Sequence, residues 1–178
     1  METIDYLEGH IKEALERISD DDRDRLADLI ISSNRIFIFG AGRSGLVGQM
    51  FAVRLVQLGL HVYFVGDMTT PIIGKGDLVI LISNTGRTMS VTKTAQIAKR
   101  IGSHVVCVTS NRKCDLAKAA DTCIVIDPAE DGDTAELAPL GTLFEDTALM
   151  FFDCMIPVLM KRKGISEDKM RSHHAIWV

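Results

Sequence analysis

Five short apolar runs alternate with longer helical patterns along most of this chain. Each run is rich in aliphatic side chains and bounded by turn residues, as expected for strands buried on both faces. The runs occupy residues 36–39, 61–65, 78–82, 104–109 and 123–126. Between them, apolar side chains recur every three or four residues, the spacing of one helix face. Strands that alternate with helices form right-handed βαβ units. We therefore predict an α/β fold, a three-layer sandwich with helices on both faces of a five-stranded parallel sheet.

Helices are also predicted at both ends of the chain. Two amphipathic helices precede the first strand; the first covers about residues 3–19, and Asp20 or Asp21 is expected to cap the second. A long apolar helix begins near Leu140, and Ser166 is expected to cap a short final helix. The predicted organisation is a single domain over 1–178, with N-terminal helices over about 1–33, the sheet over about 34–164 and a helical tail over about 165–178.

A polar turn follows the third apolar run. It consists of residues 83–88, Ser-Asn-Thr-Gly-Arg-Thr, and leads into a helical pattern. A helix N-terminus presents free N–H groups and the positive end of the helix dipole, and hydroxyl side chains add donors, so such a turn suits a phosphate group. Gly86 would allow a close approach of the backbone or a positive φ angle. Taken alone, the turn is equally well interpreted as an ordinary strand-to-helix connection with a Ser or Thr cap.

A second turn of this kind follows the first apolar run. Gly40, Gly42 and Gly45 match part of the GxGxxG fingerprint of dinucleotide-binding folds, which is weak support on its own. The same turn carries Ser44. Because the carboxyl ends of parallel strands share one edge of a sheet, we expect Ser44 to face residues 83–88. Two hydroxyl-rich turns at one edge favour a phosphate site over a dinucleotide site.

Glu145 has two interpretations. Thr142 and Glu145 have the Thr-x-x-Glu spacing of a capping box, in which the glutamate holds the end of its own helix. In the other interpretation, the carboxylate is a catalytic base beside the reacting carbon atoms of a substrate. The residue spacing alone favours the cap.

Composition and charge argue against several classes of function. The chain has 178 residues, of which 47% are hydrophobic and 25% charged, as in globular domains rather than disordered chains. A net charge of −4, without a basic stripe, argues against a nucleic-acid partner. Neither a signal peptide nor a membrane-spanning stretch is evident, so we expect a cytoplasmic protein that does not bind membranes. The four cysteines lack metal-binding spacing, and Cys107 and Cys123 are expected to be small buried hydrophobes.

Several motifs, in this order along the chain, resemble those of the sugar isomerase (SIS) domain family, and within it those of the 6-phospho-3-hexuloisomerases. Residues 39–45 and 83–88 resemble the turns of any SIS domain. The Thr-Thr-Pro loop in residues 66–71 and the stretch 139–145 resemble the hexuloisomerases more closely, and the His-Ala pair at 174–175 is a further match. The resemblance covers essentially the full length and implies the flavodoxin-like SIS fold.

The resemblance also implies roles for individual residues. The residues that would bind phosphate are Ser44, Ser83, Asn84, Thr85 and Thr88. Glu145 matches the proposed base, and His174 matches a histidine proposed to assist from a neighbouring subunit. Further candidates for contact with the substrate or its enediolate are Gly42, Arg43 and Arg87. After His174 the chain ends Ala-Ile-Trp-Val, which departs from the usual Ala-Asn-Leu-Glu of that family.

The reaction implied by the resemblance interconverts D-arabino-3-hexulose 6-phosphate and D-fructose 6-phosphate through a cis-enediol, a step of formaldehyde fixation by the ribulose monophosphate pathway. It requires no cofactor and no metal ion. An ordinary carboxylate is a weak base, so we expect burial to raise the pKa of Glu145. The alternatives are another SIS isomerase, acting on phosphoheptose or arabinose 5-phosphate, and a non-catalytic phosphosugar-binding module.

A homo-oligomer is expected as well. The N-terminal helices and the very apolar helix over residues 148–160 offer more apolar surface than one sheet covers. The resemblance to SIS proteins implies a tetramer with sites near subunit interfaces.

Overall fold

The computed structural model describes residues 2–174. Its elements, in chain order, are α1 (Glu2–Glu16), α2 (Asp20–Ser32), β1 (Ile36–Gly40), α3 (Gly42–Gln57), β2 (Val62–Phe64), β3 (Leu78–Ile82), α4 (Met89–Ile101), β4 (His104–Thr109), α5 (Asp115–Ala119), β5 (Thr122–Val125), α6 (Thr134–Leu137), α7 (Thr142–Lys163) and α8 (Glu167–Ser172). The bounds of β3 and β4 are those predicted from the apolar runs, and the other predicted elements differ by a few residues at their ends.

All five strands are parallel and lie in the order β2-β1-β3-β4-β5, which confirms the predicted sheet. The chain leaves β1 for β2 on one side and then returns to β3 on the other side of β1. Gly40 pairs with Ile82, so β1 and β3 end at the same level. Ligands of such sheets bind beyond the carboxyl ends of the strands where the strand order reverses, which is here between β1 and β3.

Helices cover both faces of the sheet, as predicted. Ile38 and Ile80 face a core shared with α2, α3 and α7, whereas Phe37 and Val79 face a second core shared with α4 and α5. Every residue of β3 is buried, because β3 has a strand on each side and helices above and below. Among residues 2–174, no helix combines the length and the apolar character needed to cross a membrane.

Some local predictions were wrong. The N-cap of α2 is Ser19, not Asp20 or Asp21, because the Ser19 hydroxyl accepts a hydrogen bond from the Asp22 amide. Cys107 is buried as predicted, but Cys123 is only half-buried, since it lies on the edge strand β5.

The apolar stretch of α7 is covered more completely than expected. Its large side chains, among them Phe151 and Phe152, are buried within the chain because α7 packs against α1, α2 and α3. Apolar side chains are left exposed on α3 instead, where Leu46, Met50 and Val53 are each more than half exposed.

The turn from β1 into α3 depends on two glycines. A Cβ atom on Gly45 would lie 2.5 Å from the carbonyl oxygen of Gly40, and a Cβ atom on Gly40 would lie 2.9 Å from the Gly45 amide nitrogen. Both contacts are with backbone atoms, so a side-chain movement cannot relieve them. These glycines therefore allow close packing of helix on strand, and they place the first turn of α3 beside the end of β1.

Replacing Gly45 with alanine should lower the free energy of unfolding by about 2 kcal/mol or more, the scale of an overpacked interior. Gly9→Ala is the matched control, because Gly9 lies within α1 and an added Cβ would have no neighbour within 4 Å. Alanine at position 9 should instead stabilise the protein by about 0.5–1 kcal/mol through its higher helix propensity. Urea unfolding followed by circular dichroism measures both, and equal unfolding midpoints for the two variants would contradict the packing role.

Candidate active site

The turn between β3 and α4, residues 83–88, is held in a compact shape by its own polar groups. The Ser83 hydroxyl oxygen accepts a hydrogen bond from the Gly86 amide at 3.2 Å and lies 3.2 Å from the Thr88 hydroxyl. Gly86 has a φ of +62°, and a Cβ atom there would lie 2.1 Å from the Cys114 Sγ. Both properties expected of this glycine, a positive φ and a close approach, are therefore present.

The predicted phosphate residues of this turn differ in exposure. Ser83 is buried, Asn84 and Thr88 are half-buried, and Thr85 is exposed. Thr85 also accepts a hydrogen bond through its hydroxyl oxygen from the Arg87 amide at 3.3 Å. A buried and a half-buried hydroxyl at the base of the turn, with an exposed one at its tip, are suited to surround a small anion that enters from solvent.

The Arg87 side chain is exposed. It lines a shallow surface depression formed mainly by the first turns of α4, with Met89, Thr92, Lys93, Gln96 and Asp115. Arg87 was predicted as a possible contact of the substrate, and none of the predicted phosphate residues lines that depression.

Ser44 and Glu145 meet although they are 101 residues apart in sequence. Ser44 lies in the first turn of α3 and Glu145 in the first turn of α7, and both are buried. The Ser44 hydroxyl donates a hydrogen bond to the Glu145 Oε1 at 3.2 Å. The expected phosphate residue and the expected base are thus in direct contact.

Arg43 reaches the same carboxylate from the neighbouring position on α3. Its Nε lies 2.9 Å from the Glu145 Oε2, and its Nη2 lies 3.5 Å from Asp146. Arg43 also donates a hydrogen bond from Nη1 to the Thr142 hydroxyl at 3.3 Å. The Nε–H is not directed at Oε2, however, and within residues 2–174 that buried oxygen has no hydrogen-bond donor. Oε2 therefore lies beside the positive charge of Arg43 but accepts no hydrogen bond, so it can accept a proton.

Burial raises the pKa of Glu145 above the ordinary value for a glutamate. The positive charge of Arg43 and the hydrogen bond from the Ser44 hydroxyl both lower this pKa, and the nearby charge of Asp146 raises it. The direction agrees with the expectation from the sequence.

The capping-box interpretation of Glu145 is wrong. The N-cap of α7 is Gly141, which has a φ of +84° and no side chain to accept a hydrogen bond. Thr142 instead donates its hydroxyl hydrogen to the Pro139 carbonyl at 2.6 Å. The Glu145 carboxylate is directed at α3, so its partners come from another element rather than from its own helix end.

Two turns further along each helix, a contact between aromatic rings also joins α3 to α7. Phe51 and Phe152 stack with centroids 4.2 Å apart and planes inclined by 12°. Each ring lies seven residues after the polar residue on its own helix, Ser44 or Glu145, and therefore on the same helix face. α3 and α7 therefore run side by side in the same direction. The Phe51–Phe152 contact lies two turns C-terminal to the Ser44–Glu145 contact along both helices.

Gly141 also brings α7 close to residues 83–88. A Cβ atom on Gly141 would lie 2.9 Å from the Asn84 Nδ2, in addition to the strain of its positive φ. The positive φ is the ground for glycine here, because a small movement of the Asn84 side-chain amide would relieve the contact. Gly42, at the start of α3, likewise has a positive φ of 58° and is exposed at the same edge of the sheet.

The structure does not bring His174 together with Glu145. His174 borders a groove with Val56, Gln57 and Val62, at the C-terminal end of α3. Ser44 lies at the other end of that helix, and the span from position 44 to position 57 is about 20 Å of α-helix. The divergent ending of the chain, residues 175–178, lies outside the described residues.

Two residues of the site were not identified from the sequence. Thr109 ends β4 and Ser110 follows it, and both bond to the backbone of Asn84. The signal was a pair of adjacent hydroxyls at the carboxyl end of a strand, at the edge where the other two turns lie. Among residues 2–174, no three His, Cys, Asp or Glu side chains are grouped to hold a metal ion.

Comparison with known proteins agrees with this geometry. The SIS domain family model matches residues 29–150. A Bacillus subtilis protein named 3-hexulose-6-phosphate isomerase is 38% identical, with 98% of each chain covered. A protein of the same name from Methanocaldococcus jannaschii is 42% identical, with 85% of this chain and 81% of that protein covered.

A solved structure agrees as well. The crystal structure of a Methanococcus jannaschii protein, for which a function as 3-hexulose-6-phosphate isomerase was inferred, matches 100% of both chains with a TM-score of 0.91 and 37% identity. The chain therefore belongs to the SIS domain family, among relatives that carry the name 3-hexulose-6-phosphate isomerase.

Proposed function

We propose that this chain is a 6-phospho-3-hexuloisomerase, a single-domain enzyme that interconverts D-arabino-3-hexulose 6-phosphate and D-fructose 6-phosphate. The observation that carries the proposal is the buried carboxylate of Glu145, which has one oxygen without a hydrogen-bond donor and contacts Ser44 in the first turn of α3. A module that only binds phosphosugars does not need such a base, whereas an isomerase does. The names of the relatives support the same reaction.

The substrate phosphate would lie between the two hydroxyl-rich turns. Ser83, Asn84, Thr85 and Thr88 line one turn, and Ser44 with its neighbouring amides lines the other. The N-termini of α3 and α4 both face this edge of the sheet, so their positive dipole ends add to the attraction for a dianion. This placement leaves the sugar carbons on the side of Glu145.

Glu145 would act as the base through its Oε2. In the forward direction it removes the proton from C2 of the hexulose, and the electron pair forms a C2–C3 double bond while negative charge moves to O3. The hydroxyl proton moves from O2 to O3, and Glu145 returns its proton to C3, which leaves the carbonyl at C2. Proton and electron counts balance without a cofactor.

Arg43 would stabilise the enediolate. Its guanidinium is about half exposed and adjoins the carboxylate that takes the proton, so it can stabilise the negative charge as that charge moves from the carboxylate to the sugar oxygens. It is therefore the strongest of the three candidates for this contact. Gly42 would contribute only its backbone, and Arg87 lines the depression beside α4.

A second copy of the chain would complete the site. The exposed apolar side chains of α3, with Val53 and Val56 among them, adjoin the groove beside His174. Association through this face would cover those side chains and bring His174 of one copy toward another copy. We propose a homotetramer of this kind, which works in the cytoplasm on the product of formaldehyde fixation in the ribulose monophosphate pathway.

Glu145→Gln should reduce turnover of 3-hexulose 6-phosphate by about a hundredfold or more, because the amide cannot accept the C2 proton. The substrate is made in situ from ribulose 5-phosphate and formaldehyde, and formation of fructose 6-phosphate is followed. Asp146→Asn is the control, since Asp146 is adjacent and also near Arg43; its turnover should stay within about threefold, as for a partly exposed ion pair. Wild-type protein that binds fructose 6-phosphate tightly without any turnover would instead be a phosphosugar-binding module.

The pH dependence of kcat/KM should show an acid limb above about pH 4.3, the usual glutamate value, since burial raises the pKa of Glu145 and only the carboxylate is a base. Arg43→Met removes the charge that lowers this pKa, so the limb should move to a higher pH. Arg54→Met is the control, because Arg54 donates a hydrogen bond to Gln57 of its own helix. The same limb in both variants would show that Arg43 does not act on the base.

Val53→Glu should dissociate the assembly, because it places a charge in the apolar face of α3 that a second copy would cover. Light scattering coupled to size-exclusion chromatography measures the mass of each species. Ile4→Glu is the control, since Ile4 is 62% exposed on α1 and lies outside this face. A wild-type protein with the mass of one chain would refute the proposed oligomer.

A further inference from the structure

The carbonyl oxygen of Asn84 receives three hydrogen bonds. The Thr109 hydroxyl donates one at 2.8 Å, the Ser110 hydroxyl a second at 2.9 Å and the Ser110 amide a third at 3.0 Å. A carbonyl oxygen has two lone pairs, and a single donor already satisfies it when it is buried. One donor would be enough to satisfy this oxygen. The three donors from one short segment therefore also fix the direction of the carbonyl.

The direction of the Asn84 carbonyl determines where the Thr85 N–H points. The Asn84–Thr85 peptide is trans and planar, so the C=O of Asn84 and the N–H of Thr85 point in opposite directions. With the carbonyl held toward the end of β4, the Thr85 N–H points away from it, toward the exposed side of the turn. Within residues 2–174 this N–H has no acceptor. It is available to an anion.

The Gly86 carbonyl of the turn is held by the same neighbouring segment. The Leu116 amide, in α5, donates to the Gly86 carbonyl at 3.1 Å. The Thr109 hydroxyl and the Cys114 Sγ lie directly under Gly86, where a Cβ atom would be 3.1 Å and 2.1 Å from them. Residues 109–116 therefore form a support beneath the turn that holds the carbonyls of Asn84 and Gly86. The amides of Gly86 and Arg87 are bonded within the turn, so among residues 85–87 the Thr85 N–H is the one left for an anion.

We propose that Thr109 and Ser110 are positioning residues that fix the Asn84–Thr85 peptide with its N–H toward the substrate phosphate. The inference rests on the proposed binding of a phosphosugar at residues 83–88. Neither residue needs to touch the substrate. If this peptide turned over, a carbonyl oxygen would replace the N–H beside the phosphate, and attraction would become repulsion.

The buried position of Thr109 makes its hydroxyl the main determinant. Thr109 is completely buried, and its hydroxyl oxygen also lies 3.4 Å from the donating Asn111 amide. Because Oγ1 accepts from Asn111, its own hydrogen is directed to the Asn84 carbonyl. Ser110 is half-buried, so part of its contribution can be replaced by water.

The test compares Thr109→Val combined with Ser110→Ala against Thr109→Ser and Thr122→Val. Valine and alanine remove both hydroxyl donors, serine retains one at position 109, and Thr122 is a buried threonine at the far end of the sheet that contacts His104. Steady-state kinetics with fructose 6-phosphate give kcat and KM. Competition by inorganic phosphate gives an inhibition constant that reports on the turn alone.

The double variant should raise KM and the phosphate inhibition constant together by about tenfold, the scale of one or two lost hydrogen bonds. Its kcat should change by less than about threefold, because the base and its partners are untouched. Thr109→Ser should behave as wild type, and so should Thr122→Val. Ser110→Ala alone, which removes a half-buried hydroxyl, provides the same comparison with a smaller effect if the double variant does not fold.

Unchanged phosphate inhibition in a folded double variant would overturn the proposal. So would an equal loss in Thr122→Val, because it would indicate general destabilisation of the sheet. If wild-type protein has no isomerase activity, binding of fructose 6-phosphate is measured by calorimetry instead. Weaker binding in the double variant would then support the positioning role although the proposed reaction had failed.

Discussion

The candidate site depends on a carboxylate that is held out of water between the first turns of two helices. Burial disfavours the charged form of Glu145, whereas the guanidinium of Arg43 and the hydroxyl of Ser44 favour it. Burial is the largest of these effects, so the pKa lies above its usual value. A base that is too exposed would be weak, and one buried without a cation would stay protonated. The position of Arg43 resolves these opposing requirements.

Packing between α3 and α7 offsets the free-energy cost of burying the charged Glu145 side chain. The stacked rings of Phe51 and Phe152 lie on the helix faces that carry Ser44 and Glu145, two turns away. They belong to a core that continues into β1 and β3. The geometry of the polar contact is therefore set by an apolar one, which is rigid because it is close-packed.

The fold was largely predictable because it depends on patterns local to each element. The bounds of β3 and β4 follow from uninterrupted aliphatic runs, and the requirement for glycine at position 86 follows from the chemistry of its turn. That Glu145 does not cap its own helix was not predictable from spacing, because a capping box and a buried carboxylate use the same residues. Its contact with Ser44, 101 positions away, appears only in the folded chain. The support from Thr109 was missed for the same reason, since its partner is a backbone carbonyl on another strand.

The separation of Ser44 and Glu145 along the chain also affects how the protein is made. A ribosome adds roughly 5–20 residues per second, so about 5–20 s pass between synthesis of the two partners. During that interval α3 has emerged, but α7, which covers Phe51, has not. A nascent chain thus exposes an aromatic surface until its last long helix leaves the exit tunnel. Aggregation during synthesis is most expected at this stage, and a chaperone that binds apolar segments would have its target on α3.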